Sequence, residues 1–146
     1  MSEKKTVKKK KKIGVPFVSV GKRKKAVARA RFKKGTGAIK INGRALGVSM
    51  DRMNVLRITE AVKVAEELVK GYDIDINVTG GGYSGQAEAC RTAIAKGFAE
   101  IGGDDLKKAY MDYDRSMLVY DPRRTEPHKP PRSSKGARRY KQRSKR

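Results

Sequence analysis

One stretch of the sequence decides the fold class: Tyr72-Asp73-Ile74-Asp75-Ile76-Asn77-Val78-Thr79-Gly80-Gly81-Gly82. Apolar and polar residues alternate strictly up to the glycines, which is the pattern of a β-strand with one buried face. After the glycines, apolar residues recur every three or four positions, the spacing of an amphipathic helix, at Cys90, Ile94, Phe98 and Ile101. We therefore predict a strand, a sharp turn and a helix over residues 84–101.

The segment before this strand contains a second alternating pattern. Small and aromatic residues occupy every second position of residues 26–32, and basic residues occupy most of the positions between them. This arrangement predicts a strand with a basic outward face. A glycine-containing turn at residues 34–37 follows, and residues 39–41 resume the alternation. We predict that the two strands form a β-hairpin.

Further elements complete the predicted domain. Residues 55–69 carry the apolar stripe of another helix, which we place at residues 59–70. Asp104 is suited to cap a short third helix, and residues 117–120 have the composition of a last short strand. The order strand, strand, helix, strand, helix predicts an α/β (α+β) two-layer sandwich over residues 15–120.

The charge of the chain is strongly positive and unevenly distributed. The 146 residues include 37 Lys and Arg against 15 Asp and Glu, a formal net charge of +22. The excess lies in residues 1–12, 22–34 and 115–146, and the second of these segments contains eight cations and no acid. Such a distribution repels itself unless a polyanion neutralises it, and a nucleic acid does so with release of counterions. The charge therefore indicates a nucleic-acid-binding protein.

Composition also separates the chain into three regions and excludes several classes of protein. Residues 1–14 form a lysine-rich tail that we expect to be disordered, and residues 121–146, with four of the five prolines, form an extended basic arm. No apolar run approaches the roughly 18 residues of a membrane span, and cations stand where a signal peptide would be cleaved. One cysteine and one histidine exclude a disulfide framework and a four-ligand zinc site. We expect a soluble intracellular protein without a cofactor or metal.

The glycine-rich stretch Gly80-Gly81-Gly82-Tyr83-Ser84-Gly85 matches a dinucleotide-binding spacing, so a small nucleotide-binding enzyme is one alternative. However, Glu100 lies inside the predicted helix, and Gln86-Ala87 replace the Lys-Ser/Thr pair of a P-loop. A sharp turn with close packing explains the glycines better, and the helix N-terminus beside them is suited to an RNA phosphate. No catalytic set is evident, because Cys90 falls on an apolar stripe and His128 lies among prolines.

Several motifs, in order, resemble those of one known family. They are GKRKKAVAR at residues 21–29, GTGAIKINGR at 35–44, VTGGGYSGQA at 78–87, DPRR at 121–124 and GARRYKQRSKR at 136–146. Over residues 15–146 the chain resembles the universal ninth proteins of the small ribosomal subunit. The DPRR element resembles the archaeal and eukaryotic branch of that family.

The resemblance implies a four-stranded mixed sheet with two main helices and a left-handed βαβ crossover. It also implies a structural, non-enzymatic protein of the cytoplasmic ribosome, whose partners are small-subunit ribosomal RNA, P-site transfer RNA and neighbouring proteins of the subunit head. Transfer RNA would be contacted by Arg143, Lys145 and Arg146. Together with the charge distribution, the resemblance predicts ribosomal RNA contacts at Lys22, Arg23, Lys24, Lys25, Arg29, Arg31, Lys33, Lys34, Arg123, Arg124, Lys135, Arg138, Arg139, Tyr140 and Lys141. A chromatin-type DNA-binding protein with basic tails is the other alternative.

Overall fold

A computed structural model describes residues 16–124 of the chain. The predicted tail at residues 1–14 and the arm beyond Arg124 lie outside this range. The predicted site residues of the arm lie outside it too: Lys135, Arg138, Arg139, Tyr140, Lys141, Arg143, Lys145 and Arg146. The strands are β1 (Phe17–Arg23), β2 (Ala26–Lys34), β3 (Ile39–Ile41), β4 (Arg44–Ala45) and β5 (Tyr72–Thr79). The helices are α1 (Leu46–Ser49), α2 (Arg52–Val64), α3 (Glu66–Val69), α4 (Tyr83–Gly102) and α5 (Asp104–Tyr113), followed by a 3₁₀ turn (Arg115–Met117).

The five strands form one mixed sheet in the order β1-β2-β5-β3-β4. Neighbouring strands are antiparallel except β3 and β5, which are parallel. The chain between these two strands passes through β4 and the first three helices, so they form a βαβ crossover. The α/β (α+β) fold class is confirmed, with five strands instead of four. The left-handed sense of the crossover stays a prediction.

The predicted hairpin between residues 26–32 and 39–41 is wrong, because β5 lies between β2 and β3. The hairpin partner of β2 is β1, and Lys24 in the turn between them has a left-handed backbone with φ 51°. The loop after β2 is held instead by Asp73, whose Oδ1 atom accepts hydrogen bonds from the N–H groups of Thr36, Gly37 and Ala38. These three bonds carry the chain across the end of β5 to its far side.

The helical layer differs from the prediction at α2 and at the start of α5, where the N-cap residue is Gly103 and Asp104 is the first residue of the helix. The helix predicted at residues 59–70 begins earlier, at Arg52, and divides into α2 and α3 at Ala65. Thr59 lies inside α2, where its hydroxyl group donates to the Val55 carbonyl oxygen at 2.8 Å. In contrast, α4 has almost the predicted bounds, and its predicted apolar stripe is buried.

The core forms where α4 lies directly on β1 and β2. A Cβ atom on Gly21 would lie 2.0 Å from the Ala89 carbonyl oxygen, so the absence of a side chain lets the helix backbone touch the strand. At the other end of the strands, Phe32 stacks on Phe17 with ring centroids 4.8 Å apart and meets the edge of Phe98. The outward side of β1 and β2 remains exposed.

The segment after α5 turns back across α4. Its only fully buried side chain among residues 115–124 is Met117. The strand predicted at residues 117–120 is wrong, because the carboxylate of Asp114 accepts hydrogen bonds from both the backbone N–H and the hydroxyl of Ser116. This cap favours a helical turn over an extended strand. Arg91 on α4 anchors the same carboxylate at 2.9 Å.

Candidate nucleic-acid interface

The basic turn between β1 and β2 packs against the glycine turn that precedes α4. Gly80 and Gly81 have left-handed backbones, with φ of 75° and 68°. A Cβ atom on Gly80 would lie 2.6 Å from the Lys25 carbonyl oxygen, so glycine is required for this approach. Gln86 closes the turn, since its side-chain amide donates to the Gly80 carbonyl oxygen at 3.1 Å. The structural interpretation of the glycines is therefore confirmed.

We call residues 22–25 together with residues 80–84 the hairpin end. Lys22, Lys24 and Lys25 are exposed there, and none of them forms an ion pair with a residue of the range 16–124. Within residues 16–124, no side chain forms a hydrogen bond that caps α4 at Gly82. The partial positive charge of the helix N-terminus and the three lysines therefore lie at the same end of the molecule. Their combined potential favours a phosphate group.

A second basic surface is the outer face of β2, on the side of the sheet away from α4. Arg29, Arg31 and Lys33 are exposed on it, as the alternating pattern predicts. Their surroundings differ, because Arg29 lies opposite Asn77 on β5, whereas the Nζ atom of Lys33 lies 3.3 Å from the carboxylate of Asp75. The positive charge of this face is thus least compensated near the hairpin end.

The remaining described site residues lie at the end of β2 and at the start of the arm. Lys34 is exposed at the end of β2. Arg123, where the arm begins, has 90% of its side chain exposed. The neighbouring Arg124 donates hydrogen bonds at 3.1 and 3.2 Å to the phenol oxygen of Tyr120. Arg123 therefore presents its charge to solvent, whereas the exposed guanidinium group of Arg124 is paired with the Tyr120 hydroxyl.

Arg23 differs from its lysine neighbours because two carboxylates engage its guanidinium group. Its Nε atom donates to Glu88 on α4, and its Nη1 atom donates to Asp121 at 2.6 Å. The hydrogen bond to Glu88 is the main cause of a raised pKa for Arg23. Only 24% of the side chain is exposed. Arg23 therefore joins β1, α4 and the start of the arm.

Two further cations lie at these surfaces and are missing from the predicted site. Lys40 is exposed on β3 in register with Asp75, and its alternation with Ile39 and Ile41 is the signal that finds it. Arg57 on α2 donates to the Ser84 hydroxyl at 2.8 Å, which places a guanidinium group beside the first turn of α4. Nothing in the local sequence around Arg57 indicates this contact.

The described residues offer no support for a catalytic or metal site. Cys90 is fully buried, and burial raises the pKa of its thiol to about 12, so it is a core residue. Within residues 16–124 no three side chains of His, Cys, Asp or Glu come together as metal ligands. None of the helices in that range is long and apolar enough to cross a membrane.

Comparison with known proteins agrees with the motifs. The family described as Ribosomal protein S9/S16 matches residues 21–146. Small ribosomal subunit protein uS9 of Methanococcus maripaludis (strain S2) is 46% identical over 127 residues, which are 86% of this chain and 95% of that protein. The protein of the same name from Methanococcus vannielii is 43% identical over the same shares. The chain therefore belongs to the ribosomal protein S9/S16 family, and it is a structural, non-enzymatic constituent of the small subunit of the cytoplasmic ribosome.

Proposed function

We propose that this protein binds small-subunit ribosomal RNA in the subunit head through two surfaces that meet at the hairpin end. The first comprises the hairpin end and the outer face of β2. The second is the arm that begins at Asp121. The observation that carries this proposal is the set of exposed cations on the outer face of β2 and at the hairpin end. Arg29 and the three lysines of the hairpin end have no carboxylate partner among residues 16–124. The proposed contact residues within residues 16–124 are Lys22, Lys24, Lys25, Arg29, Arg31, Lys33, Lys34, Arg123 and Arg124. Arg23, which pairs with Glu88 and Asp121, is not among them.

Binding of this kind is driven by phosphate neutralisation. Each exposed cation that replaces a condensed counterion contributes to affinity, and the affinity falls as salt rises. Arg29 and Arg31 add planar donor groups that engage two phosphate oxygens at once. Their spacing along β2 gives the surface a fixed geometry, which suits the shape of a folded RNA better than the reading of a base sequence.

The arm extends the proposed RNA contacts beyond the sheet. Lys135, Arg138, Arg139 and Lys141 supply charge for ribosomal RNA, and Tyr140 supplies a ring for stacking on a base. The tip of the arm, at Arg143, Lys145 and Arg146, is proposed to reach P-site transfer RNA. The support for this assignment is the family to which the chain belongs, together with the basic ending of the sequence. Neighbouring proteins of the head are the remaining proposed partners.

The sheet surface is tested by replacing Arg29 and Arg31 with Gln in the full chain. Binding to a transcript of the ribosomal RNA head should weaken, and the salt dependence of log K should lose about 0.7–0.9 per removed contact. The matched control replaces Lys107 and Lys108, two exposed cations of α5, with Gln. Equal losses in both variants would show that only net charge matters and would contradict a defined surface.

The tip is tested by deleting Lys145 and Arg146 and measuring transfer RNA binding to purified small subunits. The yield of subunits should remain near normal, because ten of the twelve cations in residues 115–146 remain. Binding of P-site transfer RNA should weaken several-fold, in line with the loss of contacts worth about 1–3 kcal/mol. Unchanged affinity in subunits that contain the truncated protein would refute the transfer RNA assignment and leave the ribosomal RNA proposal intact.

A further inference from the structure

The path of the chain from α5 to the arm is fixed at two points on α4. At the first point, Arg91 Nη2 lies 2.9 Å from the carboxylate of Asp114 and 2.8 Å from that of Glu60. At the second point, Arg23 binds Asp121 and Glu88. The first anchor holds the 3₁₀ turn on the domain. The second lies at the residue where the arm begins.

The second anchor fixes the direction of the backbone at residues 121–123 as well as its position. The Oδ2 atom of Asp121 accepts from Arg23, and its Oδ1 atom accepts from the backbone N–H of Arg123 at 2.9 Å. Pro122, between these residues, has a φ angle restricted by its ring. Both oxygens of one carboxylate are thus used, one to hold the domain and one to set the turn that follows. The backbone of residues 121–123 is therefore fixed relative to the domain.

We propose that Arg23, Glu88 and Asp121 form an arm clamp, which positions the basic arm for RNA and does not itself contact phosphate. This inference rests on the proposed function of the arm. Arg23 belongs to the run of four cations at residues 22–25, but its guanidinium group is occupied, unlike its neighbours. A segment tethered in the correct direction binds with a higher effective concentration, because less freedom is lost on binding.

The arm clamp and simple electrostatics predict opposite signs for one substitution. Asp121→Asn removes a negative charge, so electrostatic attraction alone would tighten binding to the ribosomal RNA head transcript. Loss of the arm clamp should instead weaken binding about three- to tenfold. Glu88→Gln is a second variant with the same two opposed predictions. Thermal unfolding of each full-length variant identifies any that has lost its fold.

Two substitutions that each remove one positive charge test whether Arg23 contacts a phosphate group. Arg23→Gln should weaken binding and leave the salt slope unchanged, whereas Lys22→Gln should lower the slope by about 0.7–0.9. The effect of Asp121→Asn should also become smaller when Arg138 and Arg139 are replaced by Gln, because the arm clamp acts through the arm. An equal effect in that background would overturn the proposal.

The outcomes distinguish this inference from the function on which it rests. If Arg138→Gln with Arg139→Gln leaves RNA affinity unchanged, the proposed role of the arm fails. If that double substitution weakens binding and Asp121→Asn tightens binding or leaves it unchanged, the arm clamp alone is overturned. The result that we expect is that Asp121→Asn weakens binding more when the arm is intact than when Arg138 and Arg139 are replaced by Gln.

Discussion

The two ends of β2 reverse the chain by different means. At the hairpin end, Lys24 adopts a left-handed backbone with φ 51° that glycine or asparagine would adopt at lower cost. At the other end, Gly37 takes the left-handed position with φ 97°, and Asp73 satisfies three consecutive N–H groups of the loop. The loop end therefore has residues that favour its conformation, whereas the hairpin end keeps a lysine in a costly one. Such an outlier persists only where the surrounding structure compensates for its cost.

The largest expected effect comes from separating α4 from the hairpin strands. Gly21→Ala places a methyl group 2.0 Å from the Ala89 carbonyl oxygen and 2.6 Å from the Ala93 nitrogen, both backbone atoms. Because neither atom can rotate away, the helix must shift, and the free energy of unfolding should fall by about 3 kcal/mol or more. Chemical denaturation measures this loss.

The matched control is Gly47→Ala in α1, where the added methyl group meets open space. Alanine favours a helix over glycine, so this variant should be as stable as the original or gain up to about 1 kcal/mol. A loss of equal size at both positions would contradict the close contact between β1 and α4.

A smaller effect is expected at the loop end. Hydrogen bonds from the backbone, chiefly that of Ala38, hold the pKa of Asp73 below its usual value. A carboxyl group with a lowered folded-state pKa contributes stability above the unfolded pKa of about 3.9, and that contribution is lost as pH falls through the folded value. Asp73→Ala should therefore lower stability at neutral pH by less than Gly21→Ala. Thermal unfolding of the original protein and of this variant between pH 7 and pH 3 measures the loss of stability at neutral pH and its dependence on pH.

Asp73→Asn separates geometry from charge at the same position. All three loop N–H groups donate to one oxygen, Oδ1, which asparagine retains. This variant should keep more stability than Asp73→Ala at neutral pH and should lose less of it on acidification than the original protein. If both variants match the original at pH 7, the carboxylate does not hold the loop.

The same comparison explains which parts of the fold are readable from sequence. Strand β5 and helix α4 follow from their own periodicity, because one face of each is apolar and buried. Strand β1 is not recognisable from the sequence because its apolar pattern is inverted. Val18 and Val20 point outward, while Ser19 and Gly21 point toward α4. Close approach of a helix, not hydrophobicity, selects the inward residues there.

Strand pairing and site geometry are less readable for a similar reason. Glycines mark the loop at residues 35–38, but its direction depends on Asp73, which is distant in sequence and resembles an ordinary outward-facing acid. The exposed cations of β2 follow from alternation, so the basic face is predictable. The pairing of Arg23 with Glu88 and Asp121 is not predictable, since these partners lie 65 and 98 positions away.

The smallest expected effect sharpens the contrast between the two ends of β2. The left-handed backbone at position 24 costs a residue with a side chain about 1–2 kcal/mol, and Lys24→Gly removes that cost. Part of this gain is offset, because glycine has greater freedom in the unfolded chain. The variant should therefore gain up to about 1 kcal/mol of stability. It should also bind the ribosomal RNA head transcript more weakly, with a salt slope lower by about 0.7–0.9.

Lys25→Gly provides the control, because Lys25 is exposed like Lys24 but has no positive φ. It should weaken RNA binding to a similar degree and lose about 0.5–1 kcal/mol of stability, the opposite sign. Stability and affinity that rise together in Lys24→Gly would mean that the lysine is merely tolerated in the turn, and Lys24 would then have no claim to be an RNA contact.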